Sequence, residues 1–368
     1  MDTNELIILL KQNAQLFAES YSLINGSIMN LDEVRQMGYQ EFALRSKSNM
    51  PLKLYKYFPN STIINDGKEL NYSIQALKNN TVFMQSPSNF DDVYDSDINI
   101  DYNKYERLRL IEYCERCQIK LEDTLSTQEI GRLLINAFVN SFKSAGNFNS
   151  AFTRAPKTEI EELSNENFFL RLSLELNKNG DLGIALGKII QSDFIEHSDY
   201  LKNIFRITCF ATTPYSQLMW GGSYADCHRG FCIEYTILPD NELYRDIYLN
   251  LFPMIYCKKR EDITERIVRL QDRQWNEDDL WDIYLNGVLR KSFDWAFQNE
   301  WRLLMPMKHK DASDYNIQFF PITKVFLGNR MPKDKRREII DICNKKSIPY
   351  IGVVRNPGIF EMKSCNVK

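Results

Sequence analysis

The sequence is short of histidine and carries no excess of either charge. Only three histidines occur in 368 residues, His197, His228 and His309. Imidazole-rich metal sites, which need several such ligands each, therefore have little material to draw on. Lysine plus arginine number 46 against 49 acids, a formal net charge of −3. No global field then pulls the chain towards nucleic acid or an acidic membrane. No run approaches the roughly 20 apolar residues of a membrane-spanning helix. The first twenty residues, MDTNELIILLKQNAQLFAES, lack a basic start and read as amphipathic helix, not secretory signal. Eight cysteines are scattered along the chain. Cys114-x-x-Cys117 has no second pair to complete a four-ligand zinc site. Reduced thiols in a cytoplasmic protein are expected. No internal repeat or low-complexity tract stands out.

What is present describes an ordinary globular chain, 43% hydrophobic and 26% charged, long enough for two domains or one domain with an insertion. Helical spacing covers 4–24 and 31–47. LKLYKYF (52–58) alternates as a strand, a helix follows over 70–79, and Thr81–Met84 is a second strand. QSPSNFDDVYDSD (85–97) reads as loop. From 102 to 204 the pattern is helical nearly throughout, with capping boxes at Ser126-x-x-Glu129 and Thr158-x-x-Glu161. Strand patterns resume at Phe205–Phe210, Phe231–Tyr235, Met254–Tyr256, Glu300–Leu304, Ile322–Leu327 and Tyr350–Val354. Helices are expected over 261–297 and Pro332–Lys346. The sum is an α+β fold: a mixed, mainly antiparallel sheet with N-terminal helices (1–50), a discontinuous core (51–101 and 205–360) and a large helical insertion (102–204).

Four constellations carry chemistry. LMWGGSYADCHRGFCIEY (218–235) crowds Trp220, Tyr224, Asp226, His228 and Glu234 into a loop that feeds a buried strand, where sites are commonly built. Packing alone would also explain it. Asp91, Asp92, Asp95 and Asp97 would suit a hard cation such as Mg²⁺, or a solvated turn. His228, beside Asp226 and Arg229, is a candidate base or a hydrogen-bonded structural residue. In WAFQNEWR (295–302), Gln298, Glu300 and Arg302 share one face of a strand entry. Glu300, if buried, needs a cation, and Arg302 or Arg206 would supply it, as site or as structural brace.

Taken together, LYKYF (54–58), SPSNFDDVYD (86–95), CFATTPYSQLMWGGSYADCHRGFCIEY (209–235), KSFDWAFQNEWRL (291–303) and ITKVFLGNRMP (322–332) resemble the bacterial domain-of-unknown-function family 2971. That family tolerates helical insertions between the second and third blocks. Its second block usually reads Asn-Asp-Pro-Phe-Glu/Asp; here Asp91-Asp92-Val93-Tyr94-Asp95 lacks the proline and the asparagine. The block layout is also distantly similar to the ADP-ribosyltransferase superfamily. That resemblance implies a split sheet gripping NAD⁺, with Glu300 and Tyr224 catalytic and His228 beside them. Lys56, Tyr57, Trp220, Gln298, Arg302 and Arg206 would then hold the cofactor. Lys56 stands where that superfamily carries histidine, and no Ser-Thr-Ser run follows the middle strand. The resemblance further implies a transferase or NAD glycohydrolase acting on a protein or nucleic-acid target, in phage defence by abortive infection. Two rivals stay open on the residues alone. One is a Mg²⁺-dependent nuclease using Asp92, Asp95, Glu234 and Glu300. The other is a sensor that binds a nucleotide or peptide without catalysis.

Overall fold

The computed structural model describes residues 21–145 apart from 26, 66 and 67; residues 168, 171–172, 174–199, 202 and 204–271; and residues 276–306 and 313–367. Most of the helix expected over 4–24, the capping box at Thr158, Trp275 and His309 lie outside them. The chain divides into two compact units. One gathers Met1–Asp97, Leu201–Arg260 and Tyr284–Lys368; the other gathers Ile98–Tyr200 and Glu261–Ile283. The sequence had put 261–283 with the strands. Their local pattern is helical in either setting, so only tertiary contacts could assign them.

The strands, in chain order, are β1 Tyr21–Ile24, β2 Ser27–Asn30, β3 Lys53–Phe58, β4 Ile63–Asn65, β5 Lys68–Leu70, β6 Thr81–Met84, β7 Phe205–Phe210 and β8 Phe231–Thr236. They continue as β9 Leu251–Pro253, β10 Ile255–Cys257, β11 Arg290–Ser292, β12 Trp301–Pro306, β13 Tyr315–Gln318, β14 Ile322–Leu327, β15 Tyr350–Arg355 and β16 Met362–Cys365. A five-stranded sheet runs β16-β15-β14-β8-β3, and a three-stranded one runs β7-β12-β9. Only β14–β15 is parallel in the first, and the helix Lys333–Lys345 makes its crossover. Together with the helices this is an α+β architecture of mixed, mainly antiparallel sheets.

The N-terminal part departs from the helices expected over 1–50. Helices do form at Leu31–Gln36 and Tyr39–Ser48, but 21–30 is a β-hairpin. Asn25 takes a positive φ of 47° at its turn, a conformation asparagine tolerates. β1 pairs with β10 through Leu23↔Tyr256 and Ile24↔Ile255. At 21–24, the described end of the helix expected over 4–24, that distant pairing overrides the local helical spacing.

In the helical unit, Tyr102–Arg116 begins at Asp101, whose carboxylate caps the Lys104 N–H. Ser126 and Glu129 form the expected reciprocal capping box, with bonds of 2.8 and 3.3 Å between backbone N–H and partner side chain. The helix Thr264–Gln271 joins this unit through Lys104, whose ammonium pairs Asp262 at 3.1 Å and Glu265 at 2.9 Å.

Alternation along the strands sorts the core of the α+β unit into two layers. Leu54, Phe58, Phe231, Ile233, Tyr235, Val325 and Leu327 face a large apolar cluster. Tyr55, Tyr57, Cys232 and Phe326 face a smaller one with Trp220. Where β3 approaches β7, only Tyr55 and Ala211 bridge by backbone, at 2.8 and 2.7 Å. Gln85, after β6, bridges to Ile207 at the other end of β7. The backbone of Cys209 lies between those bridges on the same edge. The sheet therefore splits between β3 and β7.

Candidate active site

The split opens into a cavity of about 780 Å³, within the range of small-molecule sites. Its walls are rich in rings, among them Tyr55, Tyr57, Phe83, Phe90, Phe210 and Trp295. Lys56, Asp92, Asp95, Cys209, Tyr224, Lys291, Gln298 and Glu300 also line it. Residues from opposite ends of the chain thus meet in one hollow.

Its floor is a closed set of charges. Glu300 begins the β12 region, and Asn299 before it has φ 40°, which turns the chain from the short helix Phe293–Gln298 into the strand. Arg302, with no exposed surface, lies behind the cavity. Its Nε donates to Glu300 Oε1 at 2.6 Å, and its two Nη groups donate to the Asp95 carboxylate at 2.8 and 2.5 Å. A further bond runs to Val288 O at 2.9 Å. Such a bidentate pairing is geometrically specific to arginine. Lys291 Nζ stands 3.3 Å from both Asp95 Oδ2 and Glu300 Oε2. It also donates to Gln298 Oε1 at 3.0 Å. Gln298 Nε2 in turn donates to the Tyr224 hydroxyl at 2.5 Å.

Two acids and two bases leave this floor with no net charge. Burial pushes the Glu300 carboxyl up, but the Arg302 guanidinium and the Lys291 ammonium outweigh it and hold the carboxyl well below its ordinary range. Burial lowers Lys291, and the Glu300 and Asp95 carboxylates more than reverse that, so it is held above its ordinary value. Glu300, Lys291 and Arg302 are each held towards their charged forms. Burial raises the Tyr224 phenol, which stays protonated.

The sequence candidates separate cleanly. Glu300, Tyr224, Gln298, Lys56 and Tyr57 line the cavity, as do Asp92 and Asp95. Trp220 does not: it is fully buried, its Nε1 donates to Pro214 O at 2.7 Å, and it meets the Tyr57 ring edge-on at 5.4 Å. His228 is outside the cavity lining too, stacked near Trp220 at 6.4 Å. Burial and then Arg330 push its imidazole down. Arg206 is paired with Asp314 at 2.9 Å, so Arg302 alone of the two arginines braces Glu300.

The four acids considered for Mg²⁺ are not gathered around one point. Glu234 accepts from Lys53 at 2.9 Å, Tyr55 at 3.1 Å and Thr323 at 2.9 Å. Asp95 is taken by Arg302 and Lys291. Asp92 Oδ1 caps the Tyr94 N–H, and Oδ2 has no hydrogen-bond partner. Among the described residues no group of three or more His, Cys, Asp or Glu side chains is assembled for a metal.

Sequence reasoning passed over Lys291, and gave Trp295 no role of its own within the WAFQNEWR run. Lys291 lies in β11, whose three residues are too few to show a period. Trp295 falls inside the 261–297 stretch expected to be helical, and lies in the short helix Phe293–Gln298. Its ring now lies 4.9 Å under the Lys291 ammonium. The pairing of Asp95 with Arg302 spans 207 residues, and nothing local announces it. Compared with known proteins, the chain matches no family model, no curated protein and no solved structure.

Proposed function

We propose that the cavity takes NAD⁺ and that the protein cleaves its nicotinamide–ribose bond, as a transferase or glycohydrolase. The observation that carries this reading is the meeting of Glu300, Tyr224 and Gln298 in one ring-lined cavity at a split between strands. As the bond breaks, its electron pair leaves with nicotinamide and positive charge develops at the ribose carbon. A fixed, permanently ionised carboxylate beside that carbon stabilises the charge without having to reorganise. Gln298 and Tyr224 orient a ribose hydroxyl, and the rings stack against nicotinamide and adenine. Water, or a side chain of a protein or nucleic-acid target, then bonds to the ribose carbon and gives up a proton. Produced in a bacterial cell, such an enzyme would drain NAD⁺ or modify a target, as an abortive-infection effector does.

The purified chain with NAD⁺ should release nicotinamide, and Glu300→Gln should slow it by about 10²-fold or more. Equal rates for the two proteins, both folded by circular dichroism, would remove the proposal. A second reading is favoured by one specific observation. Arg302 and Lys291 already neutralise Glu300, which suits a rigid binding module that holds a nucleotide without reacting it. Saturable NAD⁺ binding with no nicotinamide release would select that reading.

A further inference from the structure

We infer that the Lys56 amine is a nucleophile that captures an aromatic aldehyde in this cavity as an imine. The inference does not rest on cleavage of NAD⁺. Strand alternation puts Lys56 on the same face of β3 as Leu54 and Phe58, the face that meets the large apolar core. Its Nζ lies 5.4 Å from the centre of the Phe210 ring and 5.9 Å from that of Phe58. It donates to Thr208 Oγ1 at 2.8 Å and to Cys209 O at 3.1 Å. Among the described residues no acid forms an ion pair with it.

The valence of nitrogen makes that count informative. A neutral amine has two N–H groups and one lone pair. Thr208 and Cys209 satisfy the two N–H groups, and the lone pair is left on a side chain that lines the cavity. A protonated amine would add a third N–H and a charge with no counter-ion, both costly out of water. The second lysine of the cavity is the contrast, because Lys291 shares two carboxylates and stays an ammonium. One hollow thus holds a paired lysine and an unpaired one, with opposite protonation preferences. Burial lowers Lys56; the titratable groups acting on it are Cys209 on β7 and Glu300 before β12, both in the opposing, weaker sense. Burial also raises the Cys209 thiol, which stays neutral.

The step balances without any oxidant or reductant. The amine lone pair bonds to the carbonyl carbon, and the C=O π pair moves to oxygen. The two amine protons pass to that oxygen, which leaves as water when C=N forms. The ring-lined walls and a floor whose charges are already paired with one another favour an uncharged aromatic body on the aldehyde.

The full chain would be incubated at pH 7 with benzaldehyde and sodium cyanoborohydride, digested, and its benzylated lysines mapped by mass spectrometry. Lys56 should carry the adduct at about tenfold or more the rate of the exposed lysines, since each pH unit of lowering raises the neutral fraction tenfold; Lys47, also lowered by burial but outside the cavity lining, reports what a lowered amine does without the cavity. Lys291 should stay unlabelled, and Lys56→Arg should abolish the fast phase. Labelling spread over surface lysines with Lys56 untouched would overturn the inference. So would labelling of Lys291 as fast as Lys56, because access alone would then explain the reaction.

Discussion

Replacing Arg302 by methionine should be among the most damaging single changes in the α+β unit. Methionine matches much of the side-chain volume, so the effect would be electrical. The guanidinium is fully buried and makes four hydrogen bonds, three to carboxylates and one to Val288 O. Its loss leaves Asp95 and Glu300 to share Lys291 alone, a net charge of −1 in a site that was neutral. Breaking a buried pair in this way costs about 3–5 kcal/mol. For a folded unit of about 250 residues, each kcal/mol moves the melting temperature by about 2–4 °C, so the loss reads as roughly 6–20 °C.

The pH dependence gives the sharper check. In the wild-type chain Glu300 is held below its unfolded value. Its contribution is fully present above the unfolded carboxyl range and is lost as pH falls through the folded value. Without Arg302, burial dominates and the folded carboxyl rises above the unfolded one. The folded state then binds a proton more readily than the unfolded state, and acid favours it. The deficit of Arg302→Met should therefore be largest near pH 7 and shrink towards pH 5, followed by calorimetry across that range. A variant within about 1 kcal/mol of wild type at pH 7, or a deficit constant from pH 7 to 5, would refute the charge accounting, since the transfer cost of an unpaired buried charge is several kcal/mol.

Two other substitutions probe the loop and its neighbours. A Cβ at Gly230 would stand 2.1 Å from Phe58 O and 2.9 Å from Ala225 O, so Gly230→Ala must move backbone and should lower stability by about 1–3 kcal/mol in urea unfolding. An unchanged midpoint would mean the strand junction is looser than described. His228→Ala should leave nicotinamide release within about twofold, because a general base must reach the reacting atoms and His228 does not line the cavity; a large loss would return the imidazole to the chemistry.

Much of the fold was legible because local period and local burial agree. β6 has the expected bounds, β3 runs one residue shorter, and the Ser126–Glu129 box forms with the bonds its spacing requires. Gln298, Glu300 and Tyr224 were legible as candidates because polar groups inside aromatic runs must be satisfied or used. What misled was position without distance: Trp220 and His228 sit in the same dense loop as Tyr224, yet of these three only Tyr224 reaches the cavity lining, with Met219 of the short helix Gln217–Gly221.

The amino-acid order alone settled which segments alternate, which wind, and that a carboxylate at Glu300 would need a cation if buried. Which cation, and whether anything else came with it, was decided only when the chain closed. Asp95 reached Arg302 across 207 residues, and β1 found β10 against its own helical spacing. Lys56 and Lys291, the same residue type in one hollow, were given opposite environments by the elements packed around them. The physical reason is range. Propensity and alternation act over a few residues, whereas desolvation and ion pairing depend on what three-dimensional packing brings within a few ångströms.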